Sequence, residues 1–106
     1  MRAKDVKLRP QENKILELMG ENIKLARLRR RLTAEQISER ANISRSTLWH
    51  VEKGSEHIGI GTILKVLSVL GLEKSLQQIA ENDLLGRKLQ DAQLTIKKRG
   101  NKSNRK

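Results

Sequence analysis

Residues 33–54 run Thr33-Ala34-Glu35-Gln36-Ile37-Ser38-Glu39-Arg40-Ala41-Asn42-Ile43-Ser44-Arg45-Ser46-Thr47-Leu48-Trp49-His50-Val51-Glu52-Lys53-Gly54. Thr33 and Gln36 form a capping box: the Thr hydroxyl accepts from the Gln36 backbone N–H, and the Gln side chain reaches back. The helix so opened runs to about Ala41 and buries Ile37 and Ala41. Asn42 tolerates the left-handed backbone that ends a helix sharply. Ser44 is an N-cap for a second helix, Arg45 to Lys53, which Gly54 closes.

Two capped helices about three residues apart are the framework of a helix-turn-helix. The packing pattern agrees, with Ile37, Ala41, Ile43, Leu48 and Val51 at buried positions and Ser38 small enough for close helix contact. Upstream, Gln11 to Leu32 has helical spacing with Ile15, Met19, Ile23 and Ala26 on one face. Gly20 interrupts it at about 1 kcal/mol relative to Ala, which allows a bend or two helices there. Downstream, Thr62–Leu70 carries the stripe Ile63, Val66, Leu67 and Leu70, and Leu72–Ala80 supplies one more short helix after Gly71. Asp83–Thr95 is either a short helix or a segment that orders against a partner. Lys97–Lys106 has no apolar residue and is expected to be disordered.

The expected fold is therefore all-α: a five-helix DNA-binding domain with a helix-turn-helix and a flexible basic C-terminal tail. Residues 1–14 form a basic arm, 15–82 the folded domain, and 83–106 an extension and tail. The chain has 106 residues, one Trp, no Phe, no Tyr and no Cys. Its core must be aliphatic, and disulfides, thiolate zinc sites and cysteine nucleophiles are excluded. No segment approaches the ~18 apolar residues of a membrane span, and Met1–Pro10 lacks the apolar run of a secretory signal, so a cytoplasmic protein is expected.

Against 12 acidic residues stand 23 Lys and Arg, for a net charge of +11. Residues 1–31 carry +6 and residues 95–106 another +6, while 32–54 sum to zero. A neutral reading element between basic flanks fits a polyanionic partner, double-stranded DNA in particular; solubilising tails are the simpler alternative.

A second helix of this kind enters the major groove with its first residues near base edges. Arg45, Ser46 and His50 should point outward, with Thr47 and Trp49 on the margins. Arg45 can bind guanine O6 and N7 bidentately; Ser46 reads either partner of a pair; Thr47 or Trp49 can touch a thymine methyl or the backbone. Trp49 is expected partly exposed, at the DNA or at a dimer surface. Thr33, Ser44 and the helix N-terminal amides are candidate phosphate contacts, with Lys53 and the Arg29-Arg30-Arg31 cluster adding attraction. The arginine cluster also suits a solvated helix end. No metal or cofactor is expected, since His50 and His57 fit neither one helix face nor a zinc motif. An enzyme is not expected, because no catalytic set has a supporting motif.

With these residues placed, residues 20–71 resemble the phage-repressor and Cro-like (XRE) family of five-helix DNA-binding domains. The matching pattern is Arg27, then Leu32 to Ser38, then Asn42-Ile43-Ser44, then Leu48, Glu52 and Gly54. The resemblance implies that Arg27 pairs with Glu52 to lock helix orientation. Many members begin the second helix with a phosphate-touching Gln where this chain has Ala34, and Asn42 stands where the turn usually has glycine.

A wider likeness over about residues 20–94 is to HipB-like antitoxins, carried by Gly20 to Arg30, Ser44 to Trp49, Val69 to Lys74 and Leu85 to Ala92. It implies a homodimeric repressor on an inverted-repeat operator that restrains a HipA-type kinase toxin. The alternatives are a stand-alone regulator of the same fold without a toxin, and a protein-interaction module. The helices after Gly61, with Leu64, Leu67 and Leu70 through Leu76, are the expected dimer surface.

Overall fold

A computed structural model describes residues 7–100 of the chain. Among the described residues there are six helices and no strand: α1 Pro10–Arg29, α2 Ala34–Ala41, α3 Arg45–Lys53, α4 Ile60–Leu70, α5 Glu73–Gln77 and α6 Leu84–Gly100. The all-α class stands, and α6 adds a sixth helix to the five expected.

Local chemistry explains most of the boundaries. Pro10 opens α1 at the position where a missing N–H costs nothing, and Glu12 Oε1 accepts the Arg9 backbone N–H at 3.0 Å. The last five residues of the expected basic arm thus belong to a helix. The Glu12 carboxyl is held below its ordinary range, first by the Arg9 side chain and then by its backbone N–H. At the other end, α1 stops three residues short of Leu32. Arg31 turns left-handed at φ 57°, and the Leu32 N–H returns to the Arg27 carbonyl at 3.2 Å.

The capping box of α2 is present: Gln36 N donates to Thr33 Oγ1 at 3.0 Å, and Thr33 N donates to Gln36 Oε1 at 2.9 Å. Asn42 is left-handed at φ 58°, ψ 48°. Ser44 Oγ accepts from Thr47 N at 3.0 Å, and Gly54 closes α3 at φ 77°. Gly59 is the N-cap residue of α4, so that helix begins at Ile60, two residues before the expected Thr62. α5 is five residues long rather than spanning 72–80.

The core is aliphatic, as the near-absence of aromatics requires. Ile23 and Ala26 of α1, Ile37 and Ala41 of α2, Leu48 and Val51 of α3, and Val66, Leu67 and Leu70 of α4 are buried together. Ser38 is buried among them and donates to the Ala34 carbonyl at 2.8 Å, so no orphan polar group is created. Ile63 and Ile43 pack at the margin of this cluster, half-buried. Ile15 does not join the core face as its spacing suggested, being 64% exposed. The face of α1 that meets α3 is set instead by Leu16 and Gly20, which lie about 100° and 140° around the helix from Ile15.

Gly20 does not bend α1, which is a single helix of 20 residues. The glycine is there for contact. A Cβ on Gly20 would lie 2.7 Å from both Glu52 O and Gly54 N and 2.8 Å from Val51 O. The end of α3 therefore rests directly on the backbone of α1.

α6 continues through residues 97–100, where disorder was expected. The physical reason is that residues 87–99 contain neither Gly nor Pro, and Lys and Arg are good helix formers even where nothing apolar is present. Residues 101–106, the rest of the expected tail, lie outside the described residues.

Candidate nucleic-acid interface

On α3 the buried Leu48 and Val51 face the core, which decides where everything else on that helix points. Arg45, Ser46, Trp49, His50 and Lys53 are all exposed. Their numbers recur at helical spacing, so they form one continuous outward face along the helix. The expected base-contacting residues are thus brought together on that face, save Thr47, which is half-buried at its edge.

Thr47 and Ser44 also spend hydrogen-bonding capacity on each other. Ser44 Oγ accepts the Thr47 N–H and donates to Thr47 Oγ1 at 2.9 Å. The Ser44 hydroxyl proton is therefore committed within the cap, which leaves unpaired backbone N–H groups of the first turn as the donors at that end of α3. Thr33 differs. Its oxygen accepts from Gln36, and the hydroxyl proton is left to donate outward.

Trp49 is 56% exposed and is braced on both sides. Lys53 Nζ sits 5.3 Å from the ring centroid, one turn along the helix, in cation–π geometry. The His50 ring meets the indole edge-on, with centroids 5.0 Å apart and planes at 84°. These contacts narrow the rotamers of an otherwise free aromatic and hold an apolar surface beside the Lys53 ammonium.

Behind this face lies the pair that fixes it. Arg27 Nε donates to Glu52 Oε2 at 2.7 Å and Nη2 donates to Oε1 at 3.1 Å, while Nη1 donates to the Leu32 carbonyl at 3.0 Å. Both side chains are only about a tenth exposed, at 11% and 10%. The Glu52 hydrogen bonds raise the Arg27 guanidinium above its ordinary value, against the opposing effect of burial. One guanidinium thus ties α1, the α1–α2 turn and the end of α3 together, as the family likeness implied.

The arginine cluster divides. Arg29, Arg30 and Arg31 are exposed, and Arg30 Nη1 donates to the Ala26 carbonyl at 2.9 Å, bracing the end of α1. A cation that sequence reasoning missed is Lys24. It lines a cleft of about 390 Å³ together with Arg45, Ser46 and Trp49, and a neighbouring one with Lys53 and the carboxylates Glu17, Glu21 and Glu52. Lys24 lies three residues before Arg27 on the same side of α1, a signal available once Arg27 is known to face α3.

Among the described residues, no cluster of three or more His, Cys, Asp or Glu side chains is suited to a metal ion, and no helix is long and apolar enough to cross a membrane.

The pattern of the helix-turn-helix domain family matches residues 18–78, more than half of the chain. The chain belongs to that family. The matched segment holds both capped helices, the Arg27–Glu52 pair and the glycine contact between α1 and α3. Over 57 residues the chain is also 37% identical to the immunity repressor protein of Bacillus phage phi105. That alignment covers 54% of this chain and 40% of the relative, so the chain spans about two fifths of the relative's length.

Proposed function

We propose that this chain is a sequence-specific DNA-binding transcriptional repressor that places α3 in the major groove. The observation that carries the reading is the face of Arg45, Ser46, Trp49, His50 and Lys53, exposed on a helix whose opposite side is locked into the core. Arg45 and Ser46 stand at the N-terminal end of α3, where groove-docked helices meet base edges. Lys53, Lys24 and the arginines at the end of α1 supply phosphate attraction around it. The name of the phage relative supports repression as the outcome of binding.

In this reading the protein acts as a homodimer on an inverted repeat, with half-sites about one helical turn (~34 Å) apart. The likeness to HipB-like antitoxins supports a finer role, in which the repressor also restrains a HipA-type kinase encoded beside it. The phage relative, an immunity repressor, favours a stand-alone regulator instead. Co-purification with a kinase-sized neighbour product decides between the two.

Selection of bound sequences from random and upstream DNA tests the proposal. The expected winner is palindromic, with half-site centres about 10 base pairs apart or a multiple of that, and binding that weakens steeply with salt. Enrichment of no sequence over bulk DNA would refute it. On the selected operator, Lys53→Ala should weaken all sequences alike and reduce the slope of log affinity against log salt by about 1, as loss of one phosphate contact requires. A change in sequence preference would instead move Lys53 from the backbone to a base.

A further inference from the structure

A second cleft, of about 310 Å³, opens between α1, α4 and α5. Met19, Ile63, Leu67, Leu72, Leu76 and Ile79 line it, and no charged residue does. It shares no residue with the cleft beside α3. At its edge Ile79 is 61% exposed. The DNA-reading face makes no use of this surface.

The same chain carries a helix whose own apolar face is open. On α6, Leu84, Leu85 and Leu89 are 64%, 70% and 55% exposed. Leu85, Leu89 and Ala92 follow at spacings of four and three, forming one stripe, with Lys88 at its flank and Gln90 and Asp91 away from it. The principal helix packings join α1 with α3 and α4, α2 with α3 and α4, and α4 with α5; α6 is in none of them.

Local bonds knit the connector to the first turn of α6. Ala80 turns left-handed at φ 65°, Asp83 Oδ1 accepts from Gly86 N at 3.0 Å, and the Arg87 side chain donates to the Glu81 carbonyl.

We propose that the chain dimerises by reciprocal exchange, with the α6 leucine stripe of each protomer seated in the α1–α4–α5 cleft of the other. The two contacts are related by a two-fold axis, so the assembly closes: both clefts are filled and both leucine stripes are covered. Charge agrees at the margins, since the exposed Glu73 follows the cleft residue Leu72 in sequence and the exposed Lys88 flanks the stripe. The inference rests on the repressor reading for the purpose of pairing, because an inverted repeat needs two helix-turn-helix units in fixed relation.

Sedimentation equilibrium of the full chain tests it, using substitutions at positions outside the core. Wild type is expected to be a dimer at micromolar concentration. Leu85→Lys with Leu89→Lys, and separately Ile79→Glu, should each give a monomer with unchanged helical circular dichroism. A one-to-one mixture of the two monomeric variants should recover a dimer, because the intact arm of the Ile79→Glu protomer finds the intact cleft of the other. A monomeric wild type, with α6 on its own cleft, overturns the proposal. So does a dimer that survives Ile79→Glu, which would place α6 against α6, or a mixture that stays monomeric. Binding to a single half-site duplex is read alongside: both variants should match wild type there. Failure of wild type itself to bind the half-site would strike the repressor reading and leave the exchange standing.

Discussion

Replacing Gly20 by Ala is expected to lower the unfolding free energy by about 3 kcal/mol, although the same exchange improves helix propensity by about 1 kcal/mol. The sign is decided by where the new methyl goes. Its three nearest neighbours are backbone atoms of α3 and its cap, at 2.7, 2.7 and 2.8 Å, so no side chain can rotate aside. α3 must lift from α1, and the packing of Val51 and Leu48 on the core is lost with it. From the other side, a Cβ on Gly54 would meet the backbone of Leu16 and Glu17, so the two helices approach through a pair of glycines. In a domain this small the change corresponds to a fall in melting temperature on the order of 15 °C. Gly61→Ala is the control: it sits in α4 with nothing within 4 Å of the added carbon, and should stabilise by about 0.5–1 kcal/mol. Thermal and urea unfolding of the two variants measure this. A neutral or stabilising Gly20→Ala would contradict the close contact.

The second large effect is expected at the ion pair behind the interface. Arg27→Met should cost about 3 kcal/mol, because it removes three hydrogen bonds and leaves the Glu52 carboxylate one tenth exposed without its partner. Adding Glu52→Leu should return much of the loss, since the penalty comes from the charge left behind rather than from the attraction removed. The pair orients as well as stabilises. The double variant should therefore fold yet bind the operator more weakly than its stability predicts, because α3 is no longer held against the α1–α2 turn by one guanidinium. A double-mutant cycle in urea, with operator affinity measured on the same four proteins, separates the two effects. A cycle with no coupling between positions 27 and 52 would deny the pair its role.

Much of the helix-turn-helix was legible because its determinants are local. Thr33 meets Gln36, Ser44 meets Thr47, and Asn42 and Gly54 turn left-handed, all within three or four residues of the groups they satisfy. The exposed face of α3 followed from the burial of Leu48 and Val51. What stayed hidden depends on which helices touch. Gly20 reads as an interruption until α3 is laid against it, and Ile15 fits the core period of α1 while standing one residue off its packed face. Lys24 shares a cleft with Arg45, which shows only once Arg27, three residues on, is placed against α3. Arg27 and Glu52, 25 residues apart, were paired by family likeness and not by any local pattern. The length of α6 is hidden by its charge, which suggests disorder, whereas the absence of Gly and Pro over residues 87–99 favours helix.

Whether α3 reads bases is tested most directly by Arg45→Ala on the selected operator, with each base pair of the half-site varied in turn. The account predicts an affinity loss of about tenfold or more, discrimination abolished at one G·C pair and retained elsewhere, and a salt slope close to that of wild type. An undiminished affinity, or a loss equal for every sequence with the salt slope lower by about 1, would contradict it and leave Arg45 on the phosphate backbone or in solvent.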